Sequence, residues 1–198
     1  MQYRAFEPGI EVNGQTVNSI VDGFRFLREF PSRILLEEGI GKPAAQGLVE
    51  IDPEAWYSQE AWLRAFERVG KEMGRPNLFA IGLRIPENAK FPPTITNIHD
   101  AIASIDVAYH MNHRKHGHVM YDPLKATMLE GIGHYGYEPV AGKAMIVSRC
   151  RNPYPCDFDR GILTAMARRF EKAALVTHVD AEPCRERGGE SCTYHVGW

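Results

Sequence analysis

Cys184-Arg-Glu-Arg-Gly-Gly-Glu-Ser-Cys192 is the stretch on which the fold turns. Two cysteines bracket seven residues, and Gly188-Gly189 between them permits a tight reversal. A hairpin here brings both sulfurs to one end of a sheet. Its strands read as Ala174 to Asp180, with Val176 and Val179, and Cys192 to Trp198. In the second, Cys192, Tyr194 and Val196 share one face, while Thr193 and His195 take the other. Asp157 to Phe170, upstream, carries Ile162, Leu163, Ala165, Met166 and Phe170 at helical spacing. Asp157 and Asp159 suit the positive end of that helix; Arg168, Arg169 and Lys172 suit the other. Cys156 stands just before it, where the dipole favours a thiolate.

Working outward, His118 to Tyr121 and Ala144 to Ser148 read as further strands, punctuated by Gly117, Gly131, Gly133, Gly136 and Gly142. Residues 17 to 113 read mostly as helices. Ile20, Val21, Phe24, Leu27 and Phe30 form a stripe within Asn18 to Glu38, broken at Pro31. Trp56, Trp62, Phe66 and Val69 form a second, with Ser58 as N-cap and Gly74-Arg75-Pro76 as stop. Phe79 to Ile85 fits a short helix or an extended piece. Thr94 or Thr96 opens a helix through Ile98, Ile102, Ile105 and Ala108 that ends near His113. The order predicts an α+β protein, one domain over 1–198. A helical layer (about 17–113) packs on an antiparallel, sheet-rich part (about 118–198).

The chain has 198 residues, 44% hydrophobic and 24% charged, with net charge −2. That charge gives no electrostatic case for nucleic acid or an anionic membrane. No apolar run approaches membrane-spanning length, and MQYRAFEPGI lacks the apolar core of a signal peptide. The expected home is cytoplasmic and reducing, where four cysteines serve as thiols or metal ligands rather than disulfides.

Zinc takes four ligands from Cys, His or carboxylate. Cys156, Cys184 and Cys192 supply three. His178, Asp180 and Glu182 alternate along the strand leading into Cys184, and any of them can be the fourth; Glu182 is nearest. Two other readings stand beside zinc: inert buried thiols, and disulfides Cys150–Cys156 and Cys184–Cys192 in an oxidising compartment.

The run Cys156-Asp-Phe-Asp-Arg-Gly161 followed by Cys184-Arg-Glu-Arg-Gly188 and Cys192 resembles the 4-vinyl-reductase-type domain. The resemblance covers about a quarter of the chain and rests on Cys-x4-Gly, Cys-Arg-x2-Gly and the gap between the last two cysteines. That family includes the sensing domains of phenol- and xylene-responsive activators, where three such cysteines and a glutamate hold a structural zinc. The position three before Cys184 is Ala181 here, flanked by Asp180 and Glu182. The wider fold group includes haem nitric-oxide-sensing domains and vesicle-tethering subunits. The resemblance implies a twisted antiparallel sheet flanked by helices, often dimeric, around an internal apolar pocket.

His110, His113, His116, His118 and His134 cluster in sequence. His110 and His113 lie one helical turn apart and can bind a metal or give an axial haem ligand; interleaved Asn112, Arg114 and Lys115 favour a solvated helix end. Trp56, Trp62, Phe66, Phe79 and Phe91 suit core packing. Tyr135, Tyr137 and Tyr154 sit in Gly- and Pro-rich connections, where a phenol can reach a pocket. Arg185 and Arg187 are expected to face water. No phosphate loop, nucleophile elbow or H-E-x-x-H is present.

The expected function is a non-enzymatic sensing domain. It holds an apolar or aromatic small molecule, is stapled by zinc, and signals through a homodimer or a separate partner. A haem-binding gas sensor using the His110–His134 cluster and a tetrapyrrole-related reductase are the alternatives.

Overall fold

The computed structural model describes residues 2–24 and 27–198. The chain enters through β1 (Ile10–Asn13), whose last residue turns it into α1 (Gly14–Gly23) by accepting the Gln15 N–H on its side chain at 2.9 Å. The expected helix from Asn18 to Glu38 is two helices. α1 stops at Gly23, and α2 (Glu29–Glu37) follows; Arg25 and Phe26 of that reading lie outside the described residues. Pro31 does not break α2. It occupies the first turn, where a missing N–H forfeits no intrahelical bond.

Small strands β2 (Lys42–Pro43) and β3 (Val49–Glu50) pair with each other, and β4 (Trp56–Ser58) leads into α3 (Gln59–Met73). Ser58 caps α3 as its sequence predicts, accepting from the Ala61 N–H at 3.3 Å. Trp56 belongs to β4 rather than to the helical stripe. The ambiguous Phe79 to Ile85 segment is helical, within α4 (Arg75–Asn88). α5 (Ile98–Met111) begins one residue after Asn97, which caps it in place of the expected threonines.

β5 (His113–Lys115) and β6 (His118–Val119) return to β1, giving an antiparallel sheet of order β4-β1-β5-β6. The helical half therefore contains a sheet of its own. After the β7 (Tyr121–Asp122) and β8 (Thr127–Met128) pair, short strands β9 (His134–Tyr135) and β10 (Glu138–Pro139) flank one edge of β11 (Met145–Arg151). α6 (Cys156–Arg168), β12 (Leu175–His178) and β13 (Cys192–Gly197) complete the second antiparallel sheet, β10-β11-β13-β12 with β9 also on β11. Mixed helices and open antiparallel sheets match the α+β expectation. On β13, Cys192, Tyr194 and Val196, expected on one face, are all buried, and Thr193 of the other face is buried too.

The buried apolar residues form one contiguous cluster from Ile10 to Val196. α4 and α6 cross within it at two glycines. A methyl at Gly82 would meet the Phe158 carbonyl oxygen at 2.2 Å, and one at Gly161 would meet that of Phe79 at 2.4 Å. The sequence spends two side chains to bring these helices into backbone contact, and this positions α6 over the cavity described below. No described helix is long and apolar enough to cross a membrane.

Candidate metal centre and ligand cavity

β12 ends at His178, and one further bond, Val179 N–H to the Thr193 carbonyl, closes the pairing before the chain turns outward. The alternation expected through Asp180 and Glu182 therefore stops. Glu182 is exposed and stands outside the converging ligand atoms. The chain returns in a 3-10 turn at Arg185–Arg187, closed by Gly188 at φ 85°, a left-handed conformation that glycine adopts freely. This turn drops Cys184 onto Cys192, and the N-terminus of α6 adds Cys156.

All four cysteines are free thiols. The Cys156–Cys192, Cys156–Cys184 and Cys184–Cys192 sulfur distances are 3.2, 3.6 and 3.9 Å. Ligands about 2.3 Å from a tetrahedral zinc are separated by about 3.8 Å, so these spacings match the edges of such a tetrahedron. His178 supplies the fourth corner: its ligand atom and the three sulfurs all lie within 4.8 Å of one another. Its Nδ1 meets the Asp180 carboxylate at 3.1 Å, which places the proton there and leaves the Nε2 lone pair inward. Nε2 is buried beside the Cys192 sulfur, with no partner of full hydrogen-bonding geometry. Cys150 lies outside the group, beside Ser148 Oγ at 3.6 Å.

Donors surround the sulfurs. The Arg185 backbone N–H and Nε each reach Cys192 Sγ at 3.4 Å, and Gln2 donates to Cys156 Sγ at 2.7 Å. A hydrogen bond from the Cys156 thiol, joined by the Arg185 charge, pushes Cys192 down to about 3, and the same bond with burial pushes Cys156 up. The corner is thus arranged to carry thiolate charge.

Arg185 departs most from expectation. Rather than facing water it is 1% exposed, its guanidinium paired with the equally buried Asp159 and donating to the Asn152 carbonyl at 2.5 Å. Burial raises the Asp159 carboxyl to about 6 against the pull of Arg185. Asp159 also accepts from the Tyr135 hydroxyl at 2.6 Å. Arg187 remains exposed and donates to the Asp180 carbonyl at 2.9 Å.

Tyr135 leads to a partly open cavity of about 40 Å³ between α3, α4, α5 and α6. Trp62, Ile85, Phe91, Ile105, Phe158 and Ile162 form its apolar wall. His113 and Tyr154 form a polar end. His113 Nδ1 donates to the Tyr109 carbonyl at 2.7 Å, so its Nε2 accepts from the Tyr154 hydroxyl at 2.8 Å. Burial pushes His113 down to about 3, which keeps it neutral. Trp62 Nε1 is buried there beside the Tyr154 hydroxyl, without full hydrogen-bonding geometry. Tyr137, grouped with the other tyrosines by sequence, is instead 38% exposed, against the His99 ring. His110 and His113, read as a solvated helix end, are both buried. What sequence reading missed is that α5 faces inward at its end; Asn112, the polar residue suggesting solvent, is itself buried and bonds the Lys90 backbone.

No family model matches the sequence. No curated protein matches it either. Solved structures do. An H-NOX protein from S. oneidensis in the Fe(II) ligation state is 13% identical over 93% of this chain and 95% of that one, with a TM-score of 0.59. A mutant H-NOX from T. Tengcongensis is 14% identical over 92% of this chain and 94% of that one, at a TM-score of 0.57. A structure from a study of haem distortion in the H-NOX family is 13% identical over 94% of each chain, at 0.59. The chain thus shares the overall fold of these haem nitric-oxide-sensing domains, the wider group to which the cysteine pattern pointed. The 4-vinyl-reductase-type resemblance itself finds no match among them.

Proposed function

We propose that this chain is a sensing domain for a molecule of a few heavy atoms, held in the cavity between α3, α4, α5 and α6 and stapled by zinc at Cys156, His178, Cys184 and Cys192. The observation that carries the ligand reading is the apolar cavity with His113, Tyr154 and the Trp62 N–H at its polar end, where the indole N–H meets only the Tyr154 hydroxyl and lacks full hydrogen-bonding geometry. A buried donor left unsatisfied costs about 1–3 kcal/mol, a poorly satisfied one part of that, and a ligand acceptor recovers it. The volume sets the size. One water needs roughly 10–15 Å³ of such space, and a cavity of about 150 Å³ is known to take benzene. About 40 Å³ is therefore smaller than the expected aromatic ligand and suits a diatomic or a short organic molecule with one acceptor.

The zinc would be structural. Four protein ligands leave no open position, and the ion would join the β12–β13 connection to the start of α6. The signal would pass to a partner or a second copy of the chain.

The probes are acetone, which carries one acceptor, and xenon, which carries none. Acetone should shift the Trp62 indole N–H resonance, and xenon should shift the Ile105 methyls without the same effect on the indole. If neither probe moves either signal at saturating concentration, the cavity is packing space and the sensing reading fails.

The solved neighbours favour a second reading, a haem-binding gas sensor. The residues here do not fit a haem in this packing. Pockets that take drug-sized ligands measure roughly 300–1,000 Å³, against about 40 Å³ of free space here. Both nitrogens of His113, the histidine that reaches it, are already bonded. Haem addition should accordingly give no Soret band; a band saturating at one haem per chain would establish the second reading.

A further inference from the structure

We propose that Asp106, His110 and His134 form a second metal site, separate from the cysteine corner, that takes a divalent transition ion of the zinc or cobalt class. Asp106 and His110 are four residues apart on α5, one turn along the same face. β9 carries His134 across to them, and the crossing is pinned twice: Tyr135 N–H donates to Asp106 Oδ1 at 2.9 Å, and the Tyr109 hydroxyl donates to the Ile132 carbonyl at 2.7 Å. One nitrogen of each imidazole and one Asp106 oxygen lie within 4.8 Å of one another.

The two rings lie 5.1 Å apart between centroids, His110 Nδ1 is 3.8 Å from Asp106 Oδ1, and hydrogen bonding fixes one nitrogen of each ring. His110 Nδ1 donates to the Asp106 backbone carbonyl at 2.8 Å, which leaves the lone pair on Nε2. That Nε2 is buried with no partner, on a side chain with 0% exposure. His134 Nε2 meets the Glu130 carboxylate at 3.1 Å, and its Nδ1 faces Asp106 Oδ2 at 3.0 Å. With Nε2–H given to Glu130, the contact between Nδ1 and a carboxylate needs a cation: a proton or a metal. An imidazole held from behind by a carbonyl or carboxylate is the usual outer shell of a metal-bound histidine. An ion-paired tie between α5 and β9 accounts for His134 and Asp106, but it leaves His110 Nε2 buried and unmatched.

Two imidazoles and one carboxylate form a nitrogen–oxygen set, harder than the sulfur corner, and suit Zn²⁺, Co²⁺ or a neighbouring first-row ion. Three protein ligands leave at least one open position, reached from solvent past the 41% exposed His134. Unlike the corner, this site would hold exchangeable water or a small anion.

The test is titration with Co²⁺ of tag-free protein carrying one zinc per chain, all of it in the cysteine corner, read by absorption. A sulfur site gives an intense thiolate-to-cobalt band; a nitrogen–oxygen site gives only weak d–d bands. The expected result is one equivalent of Co²⁺ bound with d–d bands alone. His134→Ala, at a half-exposed position, and Asp106→Asn, which keeps the acceptor for Tyr135 N–H, should each weaken binding at least about tenfold, with unchanged circular dichroism. Absence of d–d bands, a thiolate band only, or equal binding by both variants would overturn the proposal. The cysteine corner is judged separately, by the thiolate band when Co²⁺ is added to zinc-free protein.

Discussion

The cysteine corner and the cavity lie at the two ends of one buried guanidinium, and they are built on opposite plans. At the corner, ligands cluster in sequence from Cys156 to Cys192, and polar donors converge on sulfur. At the cavity, the wall draws on residues from Thr16 to Ile162 whose exposed surface is mostly apolar, with one donor, the Trp62 N–H, short of full hydrogen-bonding geometry. Arg185 touches the first through Cys192 and the second through Asp159 and Tyr135. The contrast explains what each region can do: the corner fixes geometry, and the cavity leaves room for something to enter.

The sharpest way to break this comparison is to cut the guanidinium that joins its halves. Arg185→Ala strands Asp159 as an uncompensated buried charge and should cost about 3–5 kcal/mol of unfolding free energy in urea denaturation. Arg187→Ala, on the same turn but exposed, should cost under about 0.5 kcal/mol. Equal costs would mean that the buried pair links nothing.

Next in size is Gly161→Ala. The added methyl meets the Phe79 carbonyl, so α4 and α6 must separate, at about 1–3 kcal/mol. The loss should come with a larger cavity and an altered Trp62 resonance, while zinc content stays the same.

His113 sharpens the comparison through pH. Its folded pKa is depressed from 6.5 to about 3, so the unfolded chain binds the extra proton between those values. Its contribution is therefore fully present above pH 6.5 and is lost as pH falls toward 3, at up to about 1.4 kcal/mol per pH unit. Asp159 opposes this, because its raised folded pKa makes its contribution grow as pH falls through about 6 toward 3.8. The Asp159 effect is common to wild type and His113→Asn and cancels in their difference. That difference in urea stability should shrink as pH falls from 7 to 5; a constant difference would show that His113 is not buried neutral.

The smallest effect is expected from Trp62→Phe. It keeps most of the ring and removes the poorly satisfied N–H, so stability should change by under about 1 kcal/mol while the indole-dependent response to acetone is lost. An unchanged response to acetone would place the acceptor-binding donor elsewhere.

Much of this was legible in sequence where neighbours in space are neighbours in the chain. The α6 stripe, the Ser58 cap and the alternation of β13 are local patterns, and they formed as read. The three cysteines were legible because their spacing is a motif. His178 was weighed only as an alternative, because a strand was expected to run through Glu182; nothing local shows that pairing ends at Val179. Arg185 was misread because a charged side chain looks solvated until its partner is known, and Asp159 becomes its partner only once α6 has packed. His110 was misread because nothing local shows that the end of α5 faces inward. β1, with its pairing to β4 and β5, was missed because it is four residues long and its partners lie far along the chain.

The central claim is a zinc held by three sulfurs and one imidazole, and zinc-edge X-ray absorption on the purified protein tests it most directly. In protein holding one zinc per chain, the account predicts three sulfurs near about 2.3 Å and one nitrogen near about 2.0–2.1 Å, the corner filling before any nitrogen–oxygen site. His178→Ala should remove the nitrogen scatterer. A zinc-free protein, or a zinc with oxygen from Glu182 in place of the nitrogen, would contradict it.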